Sequence, residues 1–283
     1  MAEYLVKSKL LELKVSSKGA EMQSVKLCEK EMLWQGDQKF WRGKAPFLFP
    51  VCGALKNKIY TYGDKTFLMP FHGFARDNEF ELVHIDENKL ILRLTSNDYT
   101  KEIYPFDFEL DVKYEVKDCS VFIAYEIKNK GNEMYFSFGS HESFNTPGDF
   151  NDYSLVFEKE EDFLSSIVIE GGLLSGELEK IAPSGKVLNL NYDLFKHSTL
   201  VFAGLNSREV TLKRKGDKVA HFKFDIPNLL IWTLTGAPYV CIEPWQNLPD
   251  YDYTNGKIEQ KPGVIKLEKD SNFINKHTIT YFN

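Results

Sequence analysis

Three short segments, far apart in the chain, carry side chains suited to moving protons. They are Pro70-Phe71-His72-Gly73-Phe74-Ala75-Arg76, Gly139-Ser140-His141-Glu142-Ser143-Phe144-Asn145 and Cys241-Ile242-Glu243-Pro244-Trp245. Each sets a titratable or hydrogen-bonding side chain beside aromatic and small residues. Two imidazoles, a carboxylate and a guanidinium gathered in one cleft suit proton transfer on a neutral, hydroxyl-rich molecule such as a sugar. His141 ends a run of strand character, Met134-Tyr135-Phe136-Ser137-Phe138-Gly139, ahead of the loop signals Asn145-Thr146-Pro147-Gly148. A histidine there is placed to face a cleft, and an ordinary pKa of about 6.5 makes it a workable proton donor near neutrality. Glu142 beside it is expected on the opposite face, solvated.

Glu243 follows the apolar Val240-Cys241-Ile242 and precedes Pro244-Trp245. A carboxylate in such company is either paired or carries a raised pKa. Pro244 stiffens the chain and fixes the carboxylate's direction. The competing reading is a buried structural Glu–Arg pair. His72, between Phe71 and Gly73, sits at a strand end or bend where glycine lets a ligand approach the backbone; otherwise it is a half-buried histidine with a backbone partner. Arg76 can donate two hydrogen bonds to vicinal hydroxyls or hold a carboxylate, or else form a surface salt bridge. Trp34, Phe40, Trp41, Phe47, Phe49 and Trp245 offer flat faces for a sugar's C–H surface, with one or two expected at the ligand and the rest in the core.

Composition narrows the classes. The net charge of −6 argues against non-specific nucleic-acid binding. No apolar segment approaches the roughly 20 residues of a membrane helix, and Met1-Ala2-Glu3-Tyr4-Leu5-Val6-Lys7 lacks the apolar stretch of a secretory signal. Cys28, Cys52, Cys119 and Cys241 are scattered with no Cys-x-x-Cys, which reads as small buried residues in a reducing cytoplasm. His84, His197, His221 and His277 show no ligand spacing, so neither a metal nor a cofactor is expected. Phosphate-loop, dinucleotide-binding and nucleophile-elbow patterns are absent.

Alternation with period two dominates the chain. It is clearest at Leu90-Ile91-Leu92-Arg93-Leu94, Glu109–Val116, Val121–Ile127, Val210–Arg214, Val219–Phe224 and His277–Phe282. Turn signals at Lys117-Asp118-Cys119-Ser120 and Lys215-Gly216-Asp217-Lys218 join neighbouring runs into hairpins. Helical pattern is confined to short turns expected at Ser175–Lys180 and Tyr192–Lys196. No βαβ rhythm, repeat or linker is visible. The reading is all-β, an antiparallel sandwich or barrel, with residues 1–283 as a single domain.

At these residues the chain resembles the aldose 1-epimerase (galactose mutarotase-like) family, in particular its LacX-like branch. The resemblance rests on Leu33-Trp34-Gln35-Gly36, Leu48-Phe49-Pro50, His72-Gly73-Phe74-Ala75-Arg76, His141 with Phe144-Asn145, and Glu243-Pro244-Trp245, in this order over nearly the whole length. It implies an antiparallel β-supersandwich with the site in an open cleft across one sheet. It also implies His141 as general acid, Glu243 as general base, and His72 and Arg76 as substrate-binding residues. Two departures stand out. Asn57 is followed by Lys58 where the family often has Asn-Arg after its Phe-Pro segment. The family's hydroxyl-binding Asp has no clear counterpart, the region to search being Phe195-Lys196-His197-Ser198.

The function implied is a cofactor-independent isomerase that interconverts the α and β anomers of an aldohexose. In this scheme Glu243 takes the proton of the anomeric hydroxyl while His141 protonates the ring oxygen, and the two are expected several ångströms apart. One alternative is a hexose-phosphate mutarotase, if Arg42, Lys44, Lys56, Lys58 and Arg76 converge on a phosphate. Another is a non-catalytic sugar-binding or regulatory protein. A two-carboxylate glycosidase built on Glu142 and Glu243 ranks last, because adjacent His141 and Glu142 cannot both face the cleft. The partner expected is a small sugar, with no nucleic acid or membrane, and the protein is a monomer or homodimer.

Overall fold

The computed structural model describes all 283 residues. Its largest sheet has nine antiparallel strands, in the spatial order Gly185–Asn189, Tyr153–Glu161, Glu209–Arg214, Asp217–Phe224, Asn272–Tyr281, Ser120–Asn129, Phe108–Lys117, Lys89–Thr95 and Glu81–Ile85. The alternating runs of the sequence become its centre. In Phe108–Lys117, Leu110, Val112, Tyr114 and Val116 turn inward. The outward positions form an ion-pair lattice in which Asp111 accepts two bonds from Arg93 (2.6 and 2.8 Å) and Glu109 meets Lys128 at 2.6 Å. Both expected hairpins are present: Lys117 pairs with Ser120 around Asp118, and Arg214 pairs with Asp217 around Lys215-Gly216.

A six-stranded sheet packs against it. Thr199–Phe202, Asn228–Trp232, Tyr239–Trp245, Gly139–Ser140 and Phe47–Leu48 lie side by side, and Glu142–Asn145 also pairs with Tyr239–Trp245. A cluster of 63 buried apolar residues fills the space between the elements. Phe47 stacks on Tyr125 at 4.2 Å, and Phe144 meets Phe222 and Tyr281 across the gap between the sheets. Phe47 and Phe49 are therefore core residues rather than ligand faces. A third, four-stranded sheet forms from Glu3–Lys7, Leu11–Ser16, Met22–Leu27 and Lys30–Glu31.

Helix is scarce, as the sequence suggests. The one α-helix is Asp98–Ile103, opened by reciprocal capping between Asn97 and Thr100. Tyr192–Phe195 is a 3-10 turn, as expected. Ser175–Lys180 is not a helical turn: it lies in the strand Leu174–Lys180, paired with Leu164–Val168 in an outlying hairpin. No helix is long and apolar enough to cross a membrane.

Candidate active site

The strand Tyr239–Trp245 is buried at all seven positions, because both of its faces are covered. Ile242 and Val240 point into the core between the sheets, while Tyr239, Cys241, Glu243 and Trp245 share the other face. The registers Gly139↔Trp245 and Glu142↔Ile242 put His141 opposite Glu243 on the neighbouring strand. Residues opposite one another in an antiparallel pair project to the same side with Cβ atoms about 4.5–5.5 Å apart. His141 Nε2 and Glu243 Oε2 accordingly meet at 3.3 Å. This is closer than the several ångströms expected from the sequence, and the direct cross-strand register is the reason.

Both side chains are withdrawn from water. Burial pushes the His141 imidazole down to about 3, and the Arg76 charge acts the same way. Burial also pushes the Glu243 carboxyl well above the ordinary carboxylate range, reinforced by Glu142 and opposed by the Trp245 indole. Desolvation disfavours the charged form of each, so burial favours the neutral form of the pair, with the proton on the carboxyl rather than the imidazole. Glu243 Oε1 and His141 Nδ1 are buried with no hydrogen-bond partner. Glu243 has no arginine beside it, so it is not half of a structural Glu–Arg pair.

His72 reaches this face from a loop. It has φ +69° and Gly73 φ +74°, two successive left-handed residues that fold the chain back against Phe49. A Cβ on Gly73 would lie 2.1 Å from the Phe49 carbonyl oxygen, so only glycine fits. The His72 backbone N–H donates to the Gly53 carbonyl (3.0 Å), and the Gly53 N–H donates to His72 Nδ1 (3.1 Å). With Nδ1 accepting, the neutral ring carries its proton on Nε2. Burial, then His141 and Arg76, hold its pKa well below the usual value, which keeps it neutral. Its ring lies 5.7 Å from that of His141 and 5.2 Å from that of Trp245. Gly139 lets the Trp245 indole lie across it: a Cβ there would sit 2.8 Å from the ring.

Arg76, in the 3-10 turn Ala75–Asp77, donates from Nη2 to the Phe71 carbonyl at 2.9 Å and approaches Asp77 at 3.6 Å. Its side chain stays about one-third exposed at 31%, and its charge is felt by both His72 and His141. The four residues singled out from the sequence, His72, Arg76, His141 and Glu243, thus assemble in one place.

The aromatic surround was only partly foreseen. Trp41 stacks on His141 at 4.8 Å, and Trp232 meets both rings edge-on. Trp232, opposite Cys241 in register, lies in an apolar run, Leu229-Leu230-Ile231-Trp232, that marks it only as core. Trp34 backs the site through Tyr239 (4.7 Å) rather than lining it, and its indole N–H donates to the Trp41 carbonyl.

Glu142 is not solvated. It points into the core, where Oε1 meets His277 Nε2 at 3.0 Å, with both residues buried. The face opposite His141 is the inter-sheet core, not water. A two-carboxylate arrangement with Glu243 is therefore ruled out by direction. The Phe195–Ser198 segment supplies no carboxylate: His197 and Lys196 are exposed and pair with Glu179 (3.4 and 2.5 Å). Of the five basic residues considered for a phosphate, three are engaged elsewhere, Arg42 by Gln38, Lys44 by the Gln23 carbonyl and Lys56 by the Asp252 carbonyl. All four cysteines are unpaired; Cys52 and Cys241 are buried as expected, whereas Cys28 is exposed and Cys119 half-buried. Donor atoms of His141, Cys241 and Glu243 lie within 4.8 Å of one another, a convergence that local spacing in the sequence does not reveal.

The antiparallel β-supersandwich is the galactose mutarotase-like fold. The chain belongs to the aldose 1-epimerase family, whose sequence pattern matches residues 3–251, and within it resembles LacX. It is 34% identical to the plasmid and chromosomal LacX proteins of Lactococcus lactis subsp. lactis, over 93% of each chain. Among solved structures, it superposes on a galactose mutarotase related enzyme from Lactobacillus acidophilus with a TM-score of 0.91 at 30% identity, covering 100% of this chain and 98% of that one. A galactose mutarotase-like protein from Lactobacillus casei gives a TM-score of 0.92 at 27% identity, over 99% and 100% of the two chains.

Proposed function

We propose that the protein is an aldose 1-epimerase that interconverts the α and β anomers of a free aldohexose without a cofactor. The observation that carries this reading is the buried His141–Glu243 pair, opposite in register, in contact at 3.3 Å and shifted in opposite directions. In the reactive form Glu243 is the carboxylate and His141 the imidazolium, one proton shared as before. Glu243 removes the proton from the anomeric O1–H, His141 gives its proton to the ring oxygen O5, and the C1–O5 bond breaks. The pair is now Glu243-COOH and neutral His141, the uncharged state that burial favours. Rotation about C1–C2 presents the other aldehyde face; Glu243 then returns its proton to O1 as His141 takes one from O5. O1 and O5 are both bonded to C1, so a donor and an acceptor 3.3 Å apart are matched to such a pair of oxygens.

The other groups bind. The His72 Nε2–H and the Arg76 guanidinium donate to ring hydroxyls, and Trp41, only partly buried, offers a flat face to the sugar's C–H surface. The engagement of Arg42, Lys44 and Lys56 by Gln38 and by backbone carbonyls favours an unphosphorylated sugar. A binding-only role is disfavoured, because binding alone needs no matched acid and base. The test is polarimetry of freshly dissolved α-D-glucose and α-D-galactose. The reading requires equilibration to be accelerated for at least one sugar and the acceleration to vanish in His141→Asn; equal rates with and without protein for both sugars would overturn it.

A further inference from the structure

The site face carries one group that the proposed reaction does not use. Cys241 precedes Glu243 by two residues on the same strand, so both side chains leave the same face. Its register partner is Ser143, two residues from His141, which makes His141 and Cys241 diagonal neighbours across the ladder. One donor atom from each of His141, Cys241 and Glu243 falls within 4.8 Å of the others. The three residues are 7%, 0% and 1% exposed. His141 Nδ1 and Glu243 Oε1 are buried there without partners, so the cluster holds more donor capacity than the protein itself satisfies.

We propose that His141, Cys241 and Glu243 form a binding site for a thiophilic divalent cation, with Zn²⁺ the best match, and that the bound ion silences the acid–base pair. One imidazole nitrogen, one thiolate and one carboxylate are three of the four tetrahedral ligands zinc takes, at about 2.0–2.3 Å each. Donors around such an ion lie about 3.5 Å apart, so the trio closes on it by side-chain adjustment of about an ångström. Coordination displaces two protons, from the Cys241 thiol and from the Glu243 carboxyl, both of which leave to solvent, and the fourth position stays open to water. The thiolate selects against Mg²⁺ and Ca²⁺, which take oxygen ligands. Bound there, the ion occupies the atoms through which His141 and Glu243 would exchange protons with a sugar. Binding follows from the cluster's geometry alone; inhibition rests on the function proposed above.

The test uses the full chain with the accessible thiols removed (Cys28→Ser with Cys119→Ser). Titration with Cd²⁺ should raise an ultraviolet thiolate-to-metal band that saturates at one ion per chain. Calorimetry with Zn²⁺ should give the same stoichiometry. Adding Cys241→Ala, or the near-isosteric Cys241→Ser should the first not fold, abolishes the band and weakens Zn²⁺ at least tenfold. No band, or undiminished affinity in both Cys241 variants, overturns the site. In the anomerisation assay, Zn²⁺ should inhibit the parent while Cys241→Ser remains active and has lost that sensitivity. Equal sensitivity overturns the inhibitory role. A parent inactive on every sugar overturns the functional reading instead, and the cadmium band still decides the metal site.

Discussion

Glu243→Gln separates a catalytic carboxylate from a structural one, because the two roles move rate and stability differently. The change keeps the side-chain volume, so no cavity forms. It removes a buried carboxylate whose Oε1 has no partner and whose nearest charge is the like-charged Glu142. Burial and Glu142 outweigh the Trp245 indole in disfavouring the negative form, so a neutral amide is tolerated and the His141 contact at 3.3 Å can persist as an N–H donation to the ring. Stability should therefore hold or rise. The proton acceptor, by contrast, is lost, and a positioned proton carrier contributes about 10²–10⁴ in rate. The assay pairs thermal unfolding with anomer equilibration at saturating and limiting sugar. The expected signature is a fall of about 10²–10⁴ in kcat with an undiminished Tm and near-normal sugar binding. An unchanged kcat, or a drop in Tm as the main effect, would refute the reasoning.

Three further expectations follow from the same geometry. The active pair carries one proton in total, so activity should be lost in acid only as His141 takes the second proton, toward its depressed value of about 3, and in base as the raised Glu243 proton leaves; a kcat/KM profile that halves near pH 6.5 on its basic side would contradict this. Gly73→Ala forces a Cβ to 2.1 Å from the Phe49 carbonyl oxygen at φ +74° and should cost at least ~1–3 kcal/mol; an unchanged urea midpoint would show that the His72 turn is not constrained as described. Inorganic phosphate and glucose 6-phosphate at millimolar concentration should leave anomerisation of the free sugar unaffected, since Arg42, Lys44 and Lys56 are engaged by other groups; competitive inhibition would restore the phosphorylated substrate.

The nine-stranded sheet was legible because water covers its outer face. Leu110, Val112, Tyr114 and Val116 alternate with charged neighbours, and that pattern encodes both strand and orientation. The site sheet gave no such signal. Tyr239–Trp245 is covered on both sides, alternation disappears, and the partner strands that carry His141 come from a distant segment. Glu142 was misplaced for the same reason: its strand is buried on both faces and has no wet side. Ser175–Lys180 resembled a helical turn because an exposed two-stranded hairpin with Gly176 and charged residues lacks a buried face to set its period. Residue types nonetheless pointed to His72, Arg76, His141 and Glu243 before any pairing was known. The contact of His141 with Glu243 and Cys241 depends on a register between strands about 100 residues apart in sequence, which local pattern does not carry; Trp232 arrives through the neighbouring strand Asn228–Trp232, paired with Tyr239–Trp245.

The central claim is that this protein catalyses anomer exchange through His141 and Glu243 acting as one unit. Magnetisation-exchange NMR on the anomeric protons of glucose and galactose at equilibrium measures that directly. The account predicts rapid α–β exchange with wild type. It also predicts collapse in either His141→Asn or Glu243→Gln, and a double variant no slower than the single ones, as expected when two residues serve one proton transfer. Exchange at the spontaneous rate with wild type, or two single-variant losses that simply multiply in the double variant, would contradict it.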